Sequence, residues 1–287
     1  MSIIEILKVI VFGIVEGFTE WLPISSTGHL ILVESIIPLN VSDAFMSVFR
    51  VVIQLGAILA VVVLYFRKLN PWDPGKTRQQ QRATMGLWIK IVVACIPAAV
   101  FGLLLDDWID AHIYNGYVTS VMLIVYGILF IILENRNGYK EFPVQRVTQI
   151  PYQTALYIGL IQVLAMVPGT SRSGVTILGA MLLGCSRSAS AEFSFFLGIP
   201  IMFGASFLKI VKFILASEAG FAGVEIFYLI LAMIIAFVVS IYSIKFLMGY
   251  IKRNDFKLFG YYRIIFGSIA LAYFVVQAVL VNIAKAA

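Results

Sequence analysis

The sequence predicts an all-α integral membrane protein, with six transmembrane helices plus two opposed re-entrant helical hairpins arranged as two inverted-topology repeats. Three observations lead there. The 287-residue chain is 61% hydrophobic and only 13% charged, whereas soluble domains carry about 45–50% apolar and about 25% charged residues. Its apolar runs are far longer than the roughly 10-residue alternating segments of an outer-membrane barrel. Two apolar segments also break midway into small and hydroxyl-bearing residues: Gly13 to Leu30, GIVEGFTEWLPISSTGHL, and Gly159 to Leu178, GLIQVLAMVPGTSRSGVTIL. Irregular backbone at membrane depth survives only where protein or a wet cavity satisfies its N–H and C=O groups.

Taken in order, residues 3–22 read as a helix that enters the membrane and stops near Pro23. Ile31 to Ile37 carries the chain back, with Pro38 and Asn40 ending it. A full span follows from Ser42 to Phe66, passing Arg50 and Gln54. The next loop holds Arg67, Lys68, Lys76, Arg78 and Arg82 against Asp73, which predicts a cytoplasmic position. A span from about Leu87 to Leu105, interrupted at Pro97, ends in DDWID, expected outside. Tyr117 to Leu133 returns to a basic loop with Arg136, Lys140 and Arg146. The second broken segment begins near Pro151 and leaves through Val175 to Leu183. Spans at about 189–209, 225–247 and 260–281 complete the chain, the last two enclosing Lys252, Arg253 and Lys257. The Ser217–Gly223 stretch reads as a small outer loop.

The halves repeat. An offset of 146 aligns Gly13 with Gly159, Ser25 with Ser171, Gly28 with Gly174, Ser42 with Ser188 and Phe49 with Phe195, without a gap. It sets Glu16 against Gln162. Such a match between interrupted apolar segments points to a binding site between the halves. The whole chain, 1–287, then forms one membrane domain, with repeat 1 at about 1–134 and repeat 2 at about 149–287. Counting the basic loops puts the first hairpin's entry outside, the second's inside, and both termini outside.

The net charge of +6 sits in short loops between spans, where it sets orientation, so nucleic acid is not an expected partner. Cys95 and Cys185 lack metal or redox spacing and read as packing residues. The N-terminal run is interrupted by Glu16 and Glu20 and no A-x-A site follows, so a cleaved signal peptide is not expected. Arg50 and Glu192, both within spans, are expected to pair; Glu34 and Arg187 are expected near the surface.

The chemistry concentrates in the two breaks, because ionisable residues inside apolar segments are costly and mark function. Glu16 and Glu20 share a helix face one turn apart. Two close carboxylates call for a cation between them or a shared proton. Oxygen ligands of this kind suit Mg²⁺ or Ca²⁺, so a divalent metal ion is the expected cofactor. SSTGH offers hydroxyls at Ser25, Ser26 and Thr27, accessible backbone at Gly28, and the imidazole of His29. PGTSRSG places Arg172 among Ser171, Ser173 and Thr176, a phosphate fork at a loop that opens a helix.

These residues carry a resemblance. EGFTEWLPISSTGH and PGTSRSGVT resemble the two signature motifs of bacterial undecaprenyl-diphosphate phosphatases of the bacitracin-resistance type. VIQLGAILAVV (52–62) and EFSFFLGIP (192–200) are similar to that family as well. The resemblance implies a multi-pass enzyme of the bacterial plasma (inner) membrane, its active site opening to the outer face. Its substrate would be a polyprenyl diphosphate lipid, from which one phosphate is removed to regenerate the carrier for peptidoglycan synthesis. The family's acidic pair falls on Glu16 and Glu20, its serine and histidine on Ser26 and His29, and its arginine on Arg172. Either Ser26 attacks with His29 as base, or His29 attacks, or an activated water does; a homodimer is left open. A lipid flippase or secondary transporter is the alternative, since inverted repeats with broken helices are also transporter architecture. The acid-phosphatase-like lipid phosphatases need a further histidine after the arginine motif, and here the only other one, His112, precedes it.

Overall fold

The computed structural model describes residues 2–138, 141–216 and 220–286. Its helices, in order, are α1 (Ile3–Thr19), α2 (Ser26–Ile36), α3 (Asp43–Val52), α4 (Gln54–Leu64), α5 (Phe66–Leu69) and α6 (Arg78–His112). They continue as α7 (Gly116–Asn137), α8 (Tyr152–Gln162), α9 (Arg172–Leu182), α10 (Arg187–Ala216), α11 (Gly223–Tyr250) and α12 (Lys257–Ala286). Among the described residues no strand forms beyond one bridge between Val144 and Cys185.

Among the described residues six stretches are long and apolar enough to cross a membrane: Asp43–Leu64, Arg78–Leu105, Gly116–Asn137, Arg187–Ala216, Gly223–Tyr250 and Lys257–Asn282. The first joins α3 and α4 across a step at Ile53. The helix expected at 87–105 runs from Arg78 to His112, and at its start Thr77 and Gln80 form a capping box that begins it early. Pro97 and Pro200 lie within α6 and α10 without ending them. Interior prolines are tolerated in apolar helices whose neighbours satisfy the freed carbonyls. In the basic loop after α5, Lys76 donates to the carbonyls of Lys68 and Asn70 and to Thr84. Burial pulls its ammonium below the ordinary lysine range, against the opposing pull of Asp73. Part of the expected outer loop (Ser217–Ala219), Lys140, and the side chains of Asp106, Asp107 and Asp110 lie outside the described residues.

The two broken segments occur 146 residues apart with matching boundaries: α2 covers 26–36 and α9 covers 172–182. Each half lends its first helix to the other half. Helix α1 packs along α11, α8 packs along α6, and α7 pairs with α12. Glycines permit the first two approaches, since a Cβ on Gly13 would meet the Ala232 carbonyl at 2.8 Å and one on Gly159 the Ala94 carbonyl at 2.3 Å. The large core cluster spans both halves, from Trp21 and Ala57 through Phe130 to Phe195 and Phe256.

One expected ion pair and one expected surface residue are corrected. Arg50 pairs with Glu34 at 2.5 Å, and Glu192 pairs with Lys68 at 2.5 Å, so Arg50 and Glu192 are not partners. Arg187 is not a plain surface residue. It grips the fully buried Glu134 with Nε at 2.9 Å and Nη2 at 2.5 Å, and Glu134 also accepts the Phe256 N–H. The planar fork and the backbone donor supply what a carboxylate removed from water requires. Cys95 and Cys185 are free thiols, Cys185 buried and Cys95 half-buried.

Candidate active site

Helix α1 ends at Thr19, four residues short of Pro23, which lacks an N–H and disfavours helical backbone before it. The chain then turns, and Ser25 caps α2 with its Oγ accepting from the Gly28 N–H at 3.3 Å. Ser171 caps α9 in the same way, accepting from the Gly174 N–H at 3.1 Å. Both serines have φ of 73°, and among the described residues they alone of the non-glycines have positive φ. Such backbone costs about 1–3 kcal/mol per residue and persists where the surroundings impose it. The two loops are thus built alike and held in tension alike.

They meet at Glu20. Ser26 Oγ donates to Glu20 Oε2 at 2.5 Å, and Arg172 Nη2 donates to Oε1 at 2.8 Å. Ser173 Oγ donates to the Glu20 carbonyl at 3.0 Å. Arg172 Nη1 reaches the Ser194 carbonyl at 2.7 Å, its guanidinium lies over Trp21 at 5.6 Å, and its Nε has no partner. Thr176 Oγ1 donates to the Arg172 carbonyl at 2.8 Å and contacts Ser194 Oγ at 2.7 Å. Glu20, Ser26, Thr27, Gln54, Gln162, Ser171 and Arg172 form the polar end of a cavity of about 600 Å³. Its remaining wall is mostly apolar, from Ala98 and Leu103 on α6 and Ala205, Phe207 and Leu208 on α10.

The expected site residues therefore divide. Ser26, Thr27, Glu20, Ser171 and Arg172 face the cavity, whereas Ser25, Gly28, Ser173 and Thr176 are engaged in shaping the loops. His29 does not pair with Ser26. Its Nδ1 lies 2.7 Å from the Ser25 carbonyl, so that nitrogen carries the proton. Its Nε2 then accepts from Tyr262 Oη at 2.8 Å, and the ring stacks on Phe266 at 4.0 Å. The side chain beside Ser26 is the carboxylate of Glu20, not the imidazole.

Glu16 is fully buried, with neither carboxylate oxygen hydrogen-bonded, and the Gln162 amide is likewise buried and unpaired. Among the described residues no three His, Cys, Asp or Glu side chains cluster. The donor set suits a hard divalent cation that keeps water and substrate oxygens in its shell, as Mg²⁺ does with one or two carboxylates. Glu16, Glu20 and the Gln162 amide oxygen fit that requirement.

Sequence reasoning missed Arg263. It is fully buried on α12 and donates to the carbonyls of Pro23 (3.1 Å), Gly169 (2.7 Å), Thr170 (3.0 Å) and Leu123 (3.4 Å). It thereby ties both loops to α7 and α12. Its presence inside an apolar span was the available signal. Ser194 and Gly198, which seat Arg172 on α10, lie in the EFSFFLGIP stretch that carries the resemblance, but their own chemistry did not single them out.

The fold and site define a multi-pass helical membrane protein with a buried serine–carboxylate–arginine cluster where two broken helices meet. A family model described as bacitracin resistance protein BacA matches residues 9–269, and the chain belongs to that family. Relatives named undecaprenyl-diphosphatase include one from Enterococcus faecalis, 59% identical over 266 residues, covering 93% of this chain and 96% of the relative. Another from Desulfitobacterium hafniense is 56% identical over 281 residues, covering 98% of this chain and 100% of the relative. A third, from Acetivibrio thermocellus, is 58% identical over 271 residues, covering 94% and 98%.

Proposed function

We propose that this chain hydrolyses undecaprenyl diphosphate to undecaprenyl phosphate and inorganic phosphate, and so recycles the lipid carrier for peptidoglycan synthesis. The observation that carries the mechanism is the Ser26–Glu20–Arg172 chain of contacts, 2.5 Å and 2.8 Å long. Ser26 Oγ attacks the terminal phosphorus, and its proton passes to Glu20 Oε2. The bond from that phosphorus to the bridging oxygen breaks, and its electron pair leaves on the lipid phosphate. Water then hydrolyses the phosphoserine, with Glu20 returning the proton to Ser26. A positioned base of this kind contributes about 10²–10⁴-fold. Arg172 supplies the planar fork for phosphate oxygens. The apolar wall between α6 and α10 suits the polyprenyl chain, because Leu103 and Phe207 continue it to exposed surface. The relatives' name and the family match leave the flippase and transporter reading without support.

A bound Mg²⁺ or Ca²⁺ would neutralise charge building on the leaving phosphate. Glu16 and Glu20 are the residues to hold it. Two inverted repeats, with α1–α2 and α8–α9 as opposed re-entrant hairpins, are supported by their matched boundaries and by the basic loops. The same charge pattern favours a site opening to the outer face of the plasma membrane.

The test is phosphate release from undecaprenyl diphosphate by purified protein in detergent. Ser26→Ala and Glu20→Gln are expected to lose more than about 100-fold in turnover while melting normally. Turnover by Ser26→Ala equal to wild type would return the nucleophile to water or His29.

A further inference from the structure

Gln162 is the last residue of α8. Gly159, three residues earlier, lets α8 lie against the Ala94 carbonyl of α6, and Ile161 fills the space that a Cβ on Gly179 of α9 would need. Held by these two contacts, Gln162 stands at the wall of the catalytic cavity with only 2% of its surface exposed. Neither its amide oxygen nor its amide nitrogen has a hydrogen-bond partner among the described residues. A buried unpaired amide costs stability, and a native chain that keeps one needs a reason. Gln54, on the same wall, donates to the Arg50 carbonyl at 3.4 Å. Glu16, the residue 146 places earlier, is also buried and unpaired, so the lack of a partner goes with the position.

We propose that Gln162 is a substrate-binding residue whose amide N–H groups donate to phosphate oxygens of the diphosphate headgroup. The inference rests on the hydrolase reading, which brings that headgroup to Glu20 and Arg172. Anionic oxygens arriving there need donors, and several donors at the polar end of the cavity are already engaged within the chain. Ser26 Oγ donates to Glu20, and Arg172 commits Nη1 to the Ser194 carbonyl and Nη2 to Glu20. Of the buried side-chain nitrogens in that lining, Arg172 Nε and the Gln162 amide have no partner among the described residues. An amide that holds no hydrogen bond gives none up when it turns toward an anion, so only packing opposes the movement. A neutral amide also adds two donors without a second cation to compete with Arg172 for Glu20.

Gln162→Met tests it, because methionine keeps the bulk and removes the unpaired polar atoms. Its melting temperature in detergent is expected to equal or exceed that of wild type, while phosphate release from undecaprenyl diphosphate falls at least about 10-fold. Gln162→Glu keeps an oxygen but loses both donors, and is expected to fall at least as far. Inorganic diphosphate raises the melting temperature of a folded protein that binds it, and that rise is expected to shrink in Gln162→Met. Ser243→Ala is the control: it removes an equally buried, unpaired hydroxyl on α11 outside the cavity lining, and should leave turnover and the diphosphate shift unchanged. Wild-type turnover or an undiminished diphosphate shift in Gln162→Met would overturn the proposal. So would full activity of Gln162→Glu, or a lowered melting temperature of Gln162→Met, which would make the amide structural. Activity of Gln162→Met that returns in full at higher Mg²⁺ would overturn it as well, by making the amide a metal ligand. Wild-type protein that releases no phosphate would defeat the hydrolase reading separately, while the diphosphate shift still reads Gln162.

Discussion

Gly198 on α10 offers the sharpest test of how Arg172 is held. A Cβ there would lie 2.7 Å from Nη1, 2.8 Å from Nη2 and 2.9 Å from Cζ of Arg172. Ordinary contact begins at 3.4 Å, so Gly198→Ala asks the guanidinium to withdraw by about 0.7 Å in an interior that yields little. That movement is opposed by its bonds to Glu20 at 2.8 Å and to the Ser194 carbonyl at 2.7 Å, one of which must lengthen or break. Misplacing a reacting group by about 1 Å costs on the order of 100-fold. A turnover loss of about 10- to 100-fold is therefore expected, or about 1.4–2.7 kcal/mol of transition-state stabilisation. The substitution favours the helix itself by about 1 kcal/mol, since alanine exceeds glycine mid-helix. Melting in detergent should then stay near wild type while phosphate release falls. Turnover within threefold of wild type would refute the idea that α10 aims this guanidinium.

Four further outcomes are expected. Arg263→Met strands four carbonyls at about 1–3 kcal/mol each and should lower the melting temperature steeply and abolish activity; a normal melt would show the loops do not depend on this clamp. Arg187→Lys loses one prong on buried Glu134, about 1.5–3 kcal/mol, so stability should fall with turnover per folded molecule unchanged; a drop in the latter would place Arg187 in the reaction. Glu16→Gln and Glu20→Gln should each demand more Mg²⁺ or Ca²⁺ for residual phosphate release, Glu16→Gln more mildly because Gln162 already presents an amide at the matching place; an unchanged metal titration with full activity would remove both as ligands. Single cysteines in a background lacking Cys95 and Cys185 should be labelled by an impermeant reagent on intact cells within 106–116 but not within 68–82; equal labelling would reject the charge-based orientation.

What could be read from the sequence was what costs energy in an apolar setting. Glu16, Glu20, His29 and Arg172 stood out because charge and polarity are expensive there, and the break at Pro23 stood out because proline lacks a donor. Partnership was not legible in the same way. Arg50 and Glu192 looked like a pair only because each was the other's nearest unexplained charge. Once α3 and α2 are placed, Glu34 is within reach of Arg50 and Lys68 within reach of Glu192. The partners of His29 escaped for a related reason. Sequence spacing put it one turn from Ser25 and Ser26 but was silent about Tyr262, 233 residues away, which occupies its second nitrogen. Gly198 stood out only as part of the EFSFFLGIP stretch, because its own meaning lies in what stands opposite it.

The 146-residue correspondence also shows how two similarly built loops make one polar site. Both halves form the same strained serine cap, with Ser25 and Ser171 at the same φ. At matched places the side chains then diverge: Glu20 faces Met166 in the correspondence, Ser26 faces Arg172, and His29 faces Val175. One half thus carries Glu20 and Ser26, and the other carries Arg172. Neither half holds a complete set, and the set closes only through the Arg172–Glu20 contact across the repeat boundary. The exchange of α1 and α8 between halves makes that contact depend on the whole fold, because Glu20 is carried on a helix packed along α11 and Arg172 follows one packed along α6. Isolated halves supplied together should therefore release phosphate only if they reassemble into that exchanged packing. Activity from either half alone would contradict it.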